Sequence, residues 1–337
     1  MRNFNIRTIK VLLAISIILF ISLLTLITFQ YGKVPEVIKG KNVIEDKNKE
    51  KKENTNESDT KSISKNKAPI PNNYMDNDKK SKEIVPDESA LQKDAALDQT
   101  KIDAFNDNSL KMPKINTEIY QSTFGRKVAF IYFSHNRESF LPYFKGGTTP
   151  NRAYHSKVNV SLIGKRLGKS LKRNGIWNRV NDVDIINMLN NRNLNFGSSY
   201  QMSREIVLNE INLNHDLEMT FDIHRDALPR NLSTIDINGQ SFAKISFVIG
   251  SAHDNYKENM KFTNGINEVI EENYPGLSRG VIIKDKKQGN GVYNQDLLPN
   301  SVIIEVGGVE NNLEELYRTA DVLGYAISQY YWGTLHK

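Results

Sequence analysis

Three apolar segments of this chain each lead into a histidine or a glutamate. The residues that follow them are His135, His224 and Glu305, and Glu138 lies three positions after His135. Short apolar runs bounded by polar residues are typical of buried β-strands. Because open α/β sheets bind ligands beyond the carboxyl ends of their strands, we expect these side chains to meet at one edge of a sheet.

Two imidazoles and one carboxylate form a ligand set that zinc takes in catalytic sites, with one position left for water. We predict His135, His224 and Glu138 as ligands, because a turn after the first strand can fold Glu138 back beside His135. Glu205, in a predicted helix, is the alternative third ligand. Glu305 then remains as the general base that accepts a proton from water. The chain has no cysteine, which excludes a thiolate site and a disulfide framework.

Each of these residues, taken alone, also fits a structural role. A histidine at a strand end is commonly a hydrogen-bonded structural residue, and a glutamate before two glycines can cap a turn. The coincidence of three such strand ends gives a metal site the same weight as the structural interpretation. The other histidines lie in polar segments or at the terminus, and we predict that they are solvated: His155, His215, His253 and His336.

Helical segments alternate with the predicted strands. Apolar spacing and stop signals predict helices at 158–173, 182–190, 200–213, 255–273 and 313–331. A further apolar run at 242–249 predicts another strand, and residues 281–298 are predicted to form a polar loop. This alternation predicts a single α/β domain at 121–337, with a mostly parallel sheet flanked by helices.

The first 120 residues have a different composition. Residues 11–29 run for about 19 positions without a charge, long enough to cross a bilayer. Arg2, Arg7 and Lys10 precede this run, so residues 1–32 are predicted to be a cytoplasmic stub and a transmembrane anchor, with the rest outside the membrane. A cleavable signal peptide is the alternative, but no small-residue cleavage site follows the run.

Residues 33–120 are rich in Lys, Asp, Glu, Asn and Ser and have few large apolar side chains. Such a segment buries too little apolar surface to offset the entropy of ordering it, so we predict a disordered linker. The short apolar positions between Val85 and Phe105 are compatible with a transient or partner-bound helix. The net charge of +6 suits an anionic partner such as a cell-wall polymer or lipid headgroups.

Several sequence blocks resemble one known family. They are IYFSHNRESFLPYF, SREIVLNEI, FDIHRDA, YNQDLLPNSVIIEVGG and NLEELYRTADVLGYAI, and they span residues 127–330 in the expected order. Together they resemble the stage II sporulation protein P family of membrane-anchored peptidoglycan hydrolases. That family is similar to zinc-dependent N-acetylmuramoyl-L-alanine amidases, and it is also credited with endopeptidase activity on peptide cross-links. The resemblance implies an amidase-like α/β domain that follows an anchor and a tether.

The resemblance also implies roles for individual residues. His135 and His224 correspond to the metal-site histidines and Glu305 to the catalytic glutamate, with Zn²⁺ as the cofactor; Glu138 fits the motif as third ligand. Some relatives have His-Thr-His where this chain has Phe133-Ser134-His135. That difference excludes Phe133 as a ligand and points to His135. Stem-peptide carboxylates would be bound by an arginine, and the sequence does not choose among Arg137, Arg204 and Arg225.

The implied reaction cleaves the amide between N-acetylmuramic acid and L-Ala during septum remodelling and engulfment in sporulation. The implied partners are peptidoglycan, the cell membrane, a lytic transglycosylase and a membrane recruiter, and no nucleic acid is expected. The catalytic domain is expected on the extracytoplasmic, septal face of a single-pass membrane protein. Two alternatives are another metal-dependent wall hydrolase, such as a deacetylase or carboxypeptidase, and a non-catalytic wall-binding or scaffold protein.

Overall fold

The computed structural model describes residues 85–105 and 121–334. The predicted anchor, most of the predicted linker and His336 lie outside these ranges. Within them, no helix is both long enough and apolar enough to cross a membrane.

Strands of the described ranges are β1 (Ala129–Tyr132), β2 (Asn178–Val180), β3 (Met219–Asp226), β4 (Thr234–Ile237), β5 (Gln240–Ala243), β6 (Ile245–Gly250), β7 (Ser278–Lys284) and β8 (Ser301–Gly308). Six of them form one sheet in the order β2-β1-β3-β8-β6-β7, while β4 and β5 form an antiparallel hairpin. Strands β2, β1, β3 and β8 run parallel to one another. Strand β6 is antiparallel to β8, and β7 is parallel to β6.

Helices of the described ranges are α1 (Glu88–Gln92), α2 (Gln99–Ala104), α3 (Ser161–Arg173), α4 (Ile185–Asn191), α5 (Ser199–Leu213), α6 (Arg230–Ser233), α7 (Tyr256–Asn273) and α8 (Leu313–Thr334). The five predicted helices correspond to α3, α4, α5, α7 and α8. The predicted α/β fold, with a mostly parallel sheet flanked by helices, is confirmed.

The two faces of the sheet differ in chemistry because successive side chains of a strand point to opposite sides. One face, called the core face below, carries the apolar residues Ala129, Ile131, Met219, Phe221, Ile223, Ile245, Phe247, Val302 and Ile304, and it forms the main hydrophobic cluster with α3, α7 and α8. The opposite face, called the site face, carries the intervening residues Phe130, Tyr132, Asp222, His224, Ser246, Val248, Ile303 and Glu305. Val207 of α5 packs on the Phe130 and Tyr132 end of the site face.

The strands differ from the prediction in several places. Strands β3 and β8 continue past His224 and Glu305 to Asp226 and Gly308, so both residues lie on the face of the sheet rather than beyond strand ends. The apolar run at 242–249 is two strands, because the chain passes from the β4–β5 hairpin into the sheet at Lys244. Strand β7 occupies part of the predicted loop at 281–298, and its mixed burial as an edge strand weakens the periodic signal.

Residues 85–105 also differ from the predicted disordered linker. They form α1 and α2, and Ala90 and Leu91 are buried. The segment has too little apolar surface for a core of its own, but most of its apolar residues, such as Ala90, Leu91 and Leu97, pack against the domain. Composition describes a segment by itself and does not register a surface supplied by residues far along the chain.

Candidate metal centre

Three side chains at the carboxyl end of the parallel strands form a compact cluster. One ligand atom from each of His135, Glu138 and His224 lies within 4.8 Å of the others. Nδ1 of His135 is 3.4 Å from Oε1 of Glu138, and Nδ1 of His224 is 3.6 Å from Oε2 of the same carboxylate. The structure therefore brings together the three side chains that the sequence analysis selected.

Glu138 is held at several points. Its backbone N–H donates to the carbonyl of His135 at 3.0 Å, which closes the turn after β1. An isolated antiparallel bridge pairs Glu138 with Tyr154. Its Oε2 accepts a hydrogen bond from the backbone N–H of Arg225 at 3.0 Å. The carboxylate thus has a defined direction without relying on the two histidines.

His224 lies between two carboxylates. Nδ1 faces Glu138, and Nε2 lies 3.1 Å from Oδ1 of Asp222. This second contact is electrostatic rather than a well-directed hydrogen bond, because buried Nε2 has no partner of acceptable hydrogen-bond geometry. Asp222 is itself fixed by the backbone N–H of Ser134, which donates to Oδ1 at 2.8 Å, and by the Ser134 hydroxyl, which donates to Oδ2.

Sequence reasoning missed Asp222. Its available signal is the spacing of two residues before His224, which places both side chains on the same face of a strand. A carboxylate beside a ligating imidazole orients the ring and raises its basicity. Without the strand pairing, the same spacing is equally compatible with a solvated aspartate.

Glu305 is the neighbour of His224 in the sheet. The two residues are paired in register between parallel strands β3 and β8, so their side chains project from the same face. Oε2 of Glu305 is buried and has no hydrogen-bond partner. Burial raises the pKa of Glu305 to about 7; the charge of His224 opposes this rise, and the charges of Asp226 and Glu138 add to it.

The pKa values of Glu138 and His224 shift in opposite directions. Burial acts to raise the pKa of Glu138, but the charges and hydrogen bonds of His224 and His135 outweigh it and hold that pKa well below its usual value. Burial acts to lower the pKa of His224, but Asp222 and Glu138 raise it well above its usual value. Glu138 is therefore an anion, and the position of His224 stabilises positive charge.

The donor set fits a zinc ion. Tetrahedral zinc with bonds of about 2.0–2.1 Å to nitrogen and oxygen places its ligand atoms roughly 3.3 Å apart. In the cluster, the 3.4 Å and 3.6 Å contacts join the two histidines to different oxygens of Glu138, and one ligand atom from each of the three residues lies within 4.8 Å of the others. His224 must lose its proton to bind a metal ion, and the divalent cation would then supply the positive charge at this position. Metal binding would therefore release a proton.

Aromatic side chains line the cluster. The ring of His135 lies 4.6 Å from that of Phe196 and 5.3 Å from that of Tyr200, measured between centroids. Tyr200 also stacks on His224 at 6.4 Å and contacts Tyr293 at 5.2 Å. Phe196 and Tyr200 come from a segment distant in sequence from the candidate ligands, and no motif marked these two residues as neighbours of the site.

Glu205, the alternative third ligand, lies elsewhere. It forms a two-point ion pair with Arg192 at 2.5 Å and 2.8 Å, and about half of its side chain is exposed (47%). It is not part of the cluster. Of the two candidates for third ligand, the structure places Glu138 beside the histidines.

The three arginines considered for stem-peptide carboxylates are engaged within the domain. Arg137 pairs with Asp184, and Arg204 makes a two-point pair with Asp296 at 2.7 Å for each contact. Arg225 is buried and donates to the carbonyls of Ser139 and Ala153. All three arginine side chains therefore stabilise the domain through these contacts.

The other described histidines differ in burial. His215 is exposed, as predicted. The prediction for His155 is wrong, because it is 6% exposed, and its Nδ1 accepts from the backbone N–H groups of Lys157 and Val158. His253 is partly buried, with both ring nitrogens shielded from solvent. A polar sequence around His155 concealed its contact with residues 85–105, which the chain makes only after folding.

Fold and cluster together define an α/β protein with a candidate His-Glu-His cation site on its sheet. The model of the Stage II sporulation protein P (SpoIIP) family matches residues 24–328. The chain belongs to this family.

Stage II sporulation protein P of Bacillus subtilis (strain 168) is 43% identical over 227 residues, which cover 67% of this chain and 55% of the relative. The chain thus spans about half of the length of the curated relative that it matches. The chain is also similar, at low sequence identity, to solved structures that include the following two.

The first is the CwlD amidase from Clostridioides difficile in complex with the GerS lipoprotein, with a TM-score of 0.40, 15% identity and coverage of 62% of this chain and 98% of that chain. The second is an N-acetylmuramoyl-L-alanine amidase of Nostoc punctiforme, with a TM-score of 0.35, 12% identity and coverage of 63% and 98%.

Proposed function

We propose that this protein is a zinc-dependent peptidoglycan hydrolase that cleaves the amide between N-acetylmuramic acid and L-Ala during sporulation, with peptide cross-links as a second substrate. The observation that carries the proposal is the His135–Glu138–His224 cluster beside Glu305, whose pKa is about 7. Membership of the Stage II sporulation protein P family supports the wall substrate.

Different residues of the chain would bind the metal ion, position its ligands and shield the site. His135, Glu138 and His224 would hold a Zn²⁺ ion, which supplies Lewis acidity toward the scissile carbonyl and makes water more acidic. Asp222 and the backbone of Arg225 hold two of these ligands in place. The aromatic side chains of Phe196 and Tyr200 shield the site from bulk solvent, which strengthens its electrostatic interactions.

Glu305 moves the proton. As an anion it takes a proton from the attacking water while the water oxygen bonds to the amide carbon. When the carbon–nitrogen bond breaks, protonated Glu305 returns that proton to the leaving nitrogen of L-Ala. In the metal-free protein, burial raises the pKa of Glu305 to about 7, which moves this carboxyl toward the range where one group can act first as base and then as acid.

The test is a wall-digestion assay with the full chain on purified sacculi. We expect the wild type to release material with a new free amino group on L-Ala, and a chelator to stop this release until Zn²⁺ is restored. His135→Ala and Glu305→Gln should both be inactive, whereas only His135→Ala should lose affinity for Zn²⁺. Full digestion by either variant would refute the mechanism, and release of acetate would identify a deacetylase instead.

We also propose that residues 11–29 anchor the protein with its domain outside the cytoplasm, next to the septal wall, where a lytic transglycosylase and a membrane recruiter would act with it. The absence of native cysteine makes a labelling test direct. We expect a membrane-impermeant maleimide to label Glu88→Cys in intact cells and to leave Asn5→Cys unlabelled until the membrane is opened. The reverse pattern would refute the orientation.

A further inference from the structure

Residues 85–105, called the strap below, lie against the segment that carries two of the candidate ligands. That segment, called the ligand loop, is residues 134–157 between β1 and α3, and it includes His135 and Glu138. The residues of the strap that contact the ligand loop are distant from it in sequence: Leu91 and Arg137 are 46 positions apart, and Asp94 and Ser156 are 62 positions apart. Its only helices are the short α1 and α2.

The first contact reaches the residue between the two ligands. The Arg137 guanidinium donates from Nη1 to the backbone carbonyl of Leu91 in the strap at 2.5 Å. The same side chain pairs with Asp184 at the start of α4, with Nη2 donating to Oδ2 at 2.6 Å. Arg137 is thereby fixed between the strap and α4, and the backbone on either side of it leads directly to His135 and Glu138.

The second contact holds the other end of the ligand loop. Asp94 of the strap accepts from the backbone N–H of Ser156 at 2.8 Å and from its hydroxyl group, and it lies 3.5 Å from Nε2 of His155. The backbone N–H of His155 in turn donates to the carbonyl of Arg137 at 2.8 Å. Asp94 therefore stabilises the same antiparallel bridge that holds Glu138 opposite Tyr154.

The third contact is apolar. Leu91 is 3% exposed and belongs to one cluster with Tyr154, Ile185, Ile186, Leu189 and Met202. Phe196 packs against this cluster, and its ring lies 4.6 Å from the ring of His135. Strap packing thus supports the aromatic neighbour of a candidate ligand as well as the backbone beside it.

A short backbone pairing completes the strap. Leu97 forms an antiparallel bridge with Phe144 of the ligand loop. The flanking hydrogen bonds run from Asp98 N–H to the Tyr143 carbonyl at 2.8 Å and from Lys145 N–H to the Ala96 carbonyl at 3.1 Å. Leu97 and Phe144 are therefore opposite each other as a non-hydrogen-bonded pair.

We propose that the strap is a positioning element for the metal centre: docked, it holds the ligand loop in the conformation in which His135 and Glu138 bind Zn²⁺ tightly. This inference rests on the zinc site of the proposed function and adds the part of the chain that preorganises it. The functional unit then begins at or before Val85, whereas the sequence analysis places the domain boundary at 121.

The physical basis is the cost of ordering a loop. The ligand loop contains only short 3₁₀ turns, at 141–143 and 150–152, between β1 and α3. A loop released from the strap must lose backbone freedom when the metal binds, and that entropy is subtracted from the binding free energy. Residues that orient ligands from behind commonly change metal affinity by about 10- to 100-fold.

Leu91→Asp is the variant that opens the strap, because it places a charge in the apolar cluster. Val85→Asp is the matched control, since Val85 is in the same segment and 77% exposed. Opening is measured by trypsin cleavage after Lys93 and Lys101. If Leu91→Asp alone stays resistant to trypsin, the additional change Asp94→Ala removes the second contact.

Zn²⁺ alone is then titrated by calorimetry into the metal-free full chain. We expect the opened variant to bind it about 10-fold or more weakly, and Val85→Asp to match the wild type. A second readout needs no metal: amide hydrogen exchange at residues 134–140 should accelerate in the opened variant, while exchange in β3 stays unchanged. Unchanged exchange in β3 also shows that the domain is folded.

Rescue distinguishes positioning from a general loss of stability. Non-hydrogen-bonded antiparallel pairs have Cα atoms about 4.5 Å apart, within the range that a disulfide spans. Leu97→Cys with Phe144→Cys forms a single disulfide, because the chain has no other cysteine. In the Leu91→Asp background, the oxidised form should recover zinc affinity to within about twofold of its own Leu91 parent, and the reduced form should not.

An opened strap with wild-type zinc affinity and unchanged exchange at 134–140 would overturn the inference. Failure of the wild type itself to bind Zn²⁺ would instead count against the proposed function. The exchange measurement would still decide whether the strap orders the ligand loop.

Discussion

On the core face of the sheet, the side chains of β1, β3, β6 and β8 are aliphatic or aromatic, and α3, α7 and α8 bury them. On the site face, the intervening residues of the same strands include Asp222, His224 and Glu305. Two of these polar residues are as enclosed as many core residues, since Asp222 is fully buried and His224 is 3% exposed, while Glu305 is partly buried. Burial is therefore common to both faces, and what differs is the way each buried group is compensated.

The core face is stabilised by the removal of apolar surface from water, at about 25 cal/mol per Å². The site face has no such gain from its charged groups, and each of them needs a partner of opposite charge or a hydrogen bond. The backbone N–H of Ser134 donates a hydrogen bond to Asp222, and the backbone N–H of Arg225 donates one to Glu138. Oε2 of Glu305 has none. The site face therefore holds at least one group, the carboxyl of Glu305, in an unfavourable state that catalysis can use.

Glu305→Gln gives the largest expected effect on activity. Removing a general base lowers turnover by about 10²- to 10⁴-fold, and the isosteric amide leaves the core face untouched. Turnover on sacculi and thermal unfolding of the same preparation check this. Glu314→Gln is the control, because this glutamate lies on α8 with 53% of its side chain exposed. Loss of fold in Glu305→Gln would contradict the division between the faces.

Phe247→Ala is the corresponding change on the core face. Phe247 is fully buried, and truncation of a buried phenylalanine costs about 3–5 kcal/mol of unfolding free energy. Chemical denaturation measures this loss. Activity per folded molecule should stay near the wild-type value at a temperature where the variant is folded. A variant that is stable but inactive would show that the two faces are not separable.

The two faces of the sheet should also differ in how their contribution to stability depends on pH. In the metal-free protein, the folded-state pKa of Glu305 is raised to about 7 from an ordinary 4.5, so the fold disfavours the ionised form. The wild type therefore matches Glu305→Gln below about pH 4.5 and becomes relatively less stable as pH rises toward 7. We expect the variant to be more stable by on the order of 3 kcal/mol at pH 8.

Paired denaturation curves of the two metal-free proteins at pH 4.5 and pH 8 test that difference. A stability difference that is constant between the two pH values would mean that the carboxylate of Glu305 is well solvated or paired. Core-face variants serve as the reference, because Phe247→Ala changes no titrating group and its destabilisation should not depend on pH.

Glu205→Gln gives the smallest expected effect. Glu205 and Arg192 form an exposed ion pair on neither face of the sheet, and such pairs contribute less than about 1 kcal/mol. Zinc affinity by calorimetry and turnover should both match the wild type. A marked loss of zinc affinity would restore Glu205 as a ligand and displace Glu138 from that position.

Much of the fold was predictable because its signals are local. Apolar spacing along α3, α5 and α7 reflects contact with one side of a helix, and the run before His135 reflects a strand buried on both faces. Edge strands β2 and β7 were missed, since β2 is short and polar and β7 has mixed burial. A pattern-based prediction depends on regular burial, which edge strands lack.

Two features near the site were decided by packing. Asp222 becomes a partner of His224 only because β3 directs both side chains to the same face, where Ser134 from the loop after β1 meets them. Tyr200 becomes a neighbour of both histidines only because α5 lies over that face. These positions carry no distinctive local pattern, since aspartate and tyrosine occur as readily in solvated segments.

By itself, the sequence determined the class of fold, most of its helices and the residue types that converge in the site, because hydrophobic periodicity and metal-ligand chemistry are properties of short segments. Only the tertiary structure decided that His224 and Glu305 are in register on one face, that Glu305 lacks a hydrogen-bond partner at Oε2, and that the strap docks on the ligand loop. The reason is physical: burial, pKa and loop order depend on neighbours that folding brings from elsewhere in the chain.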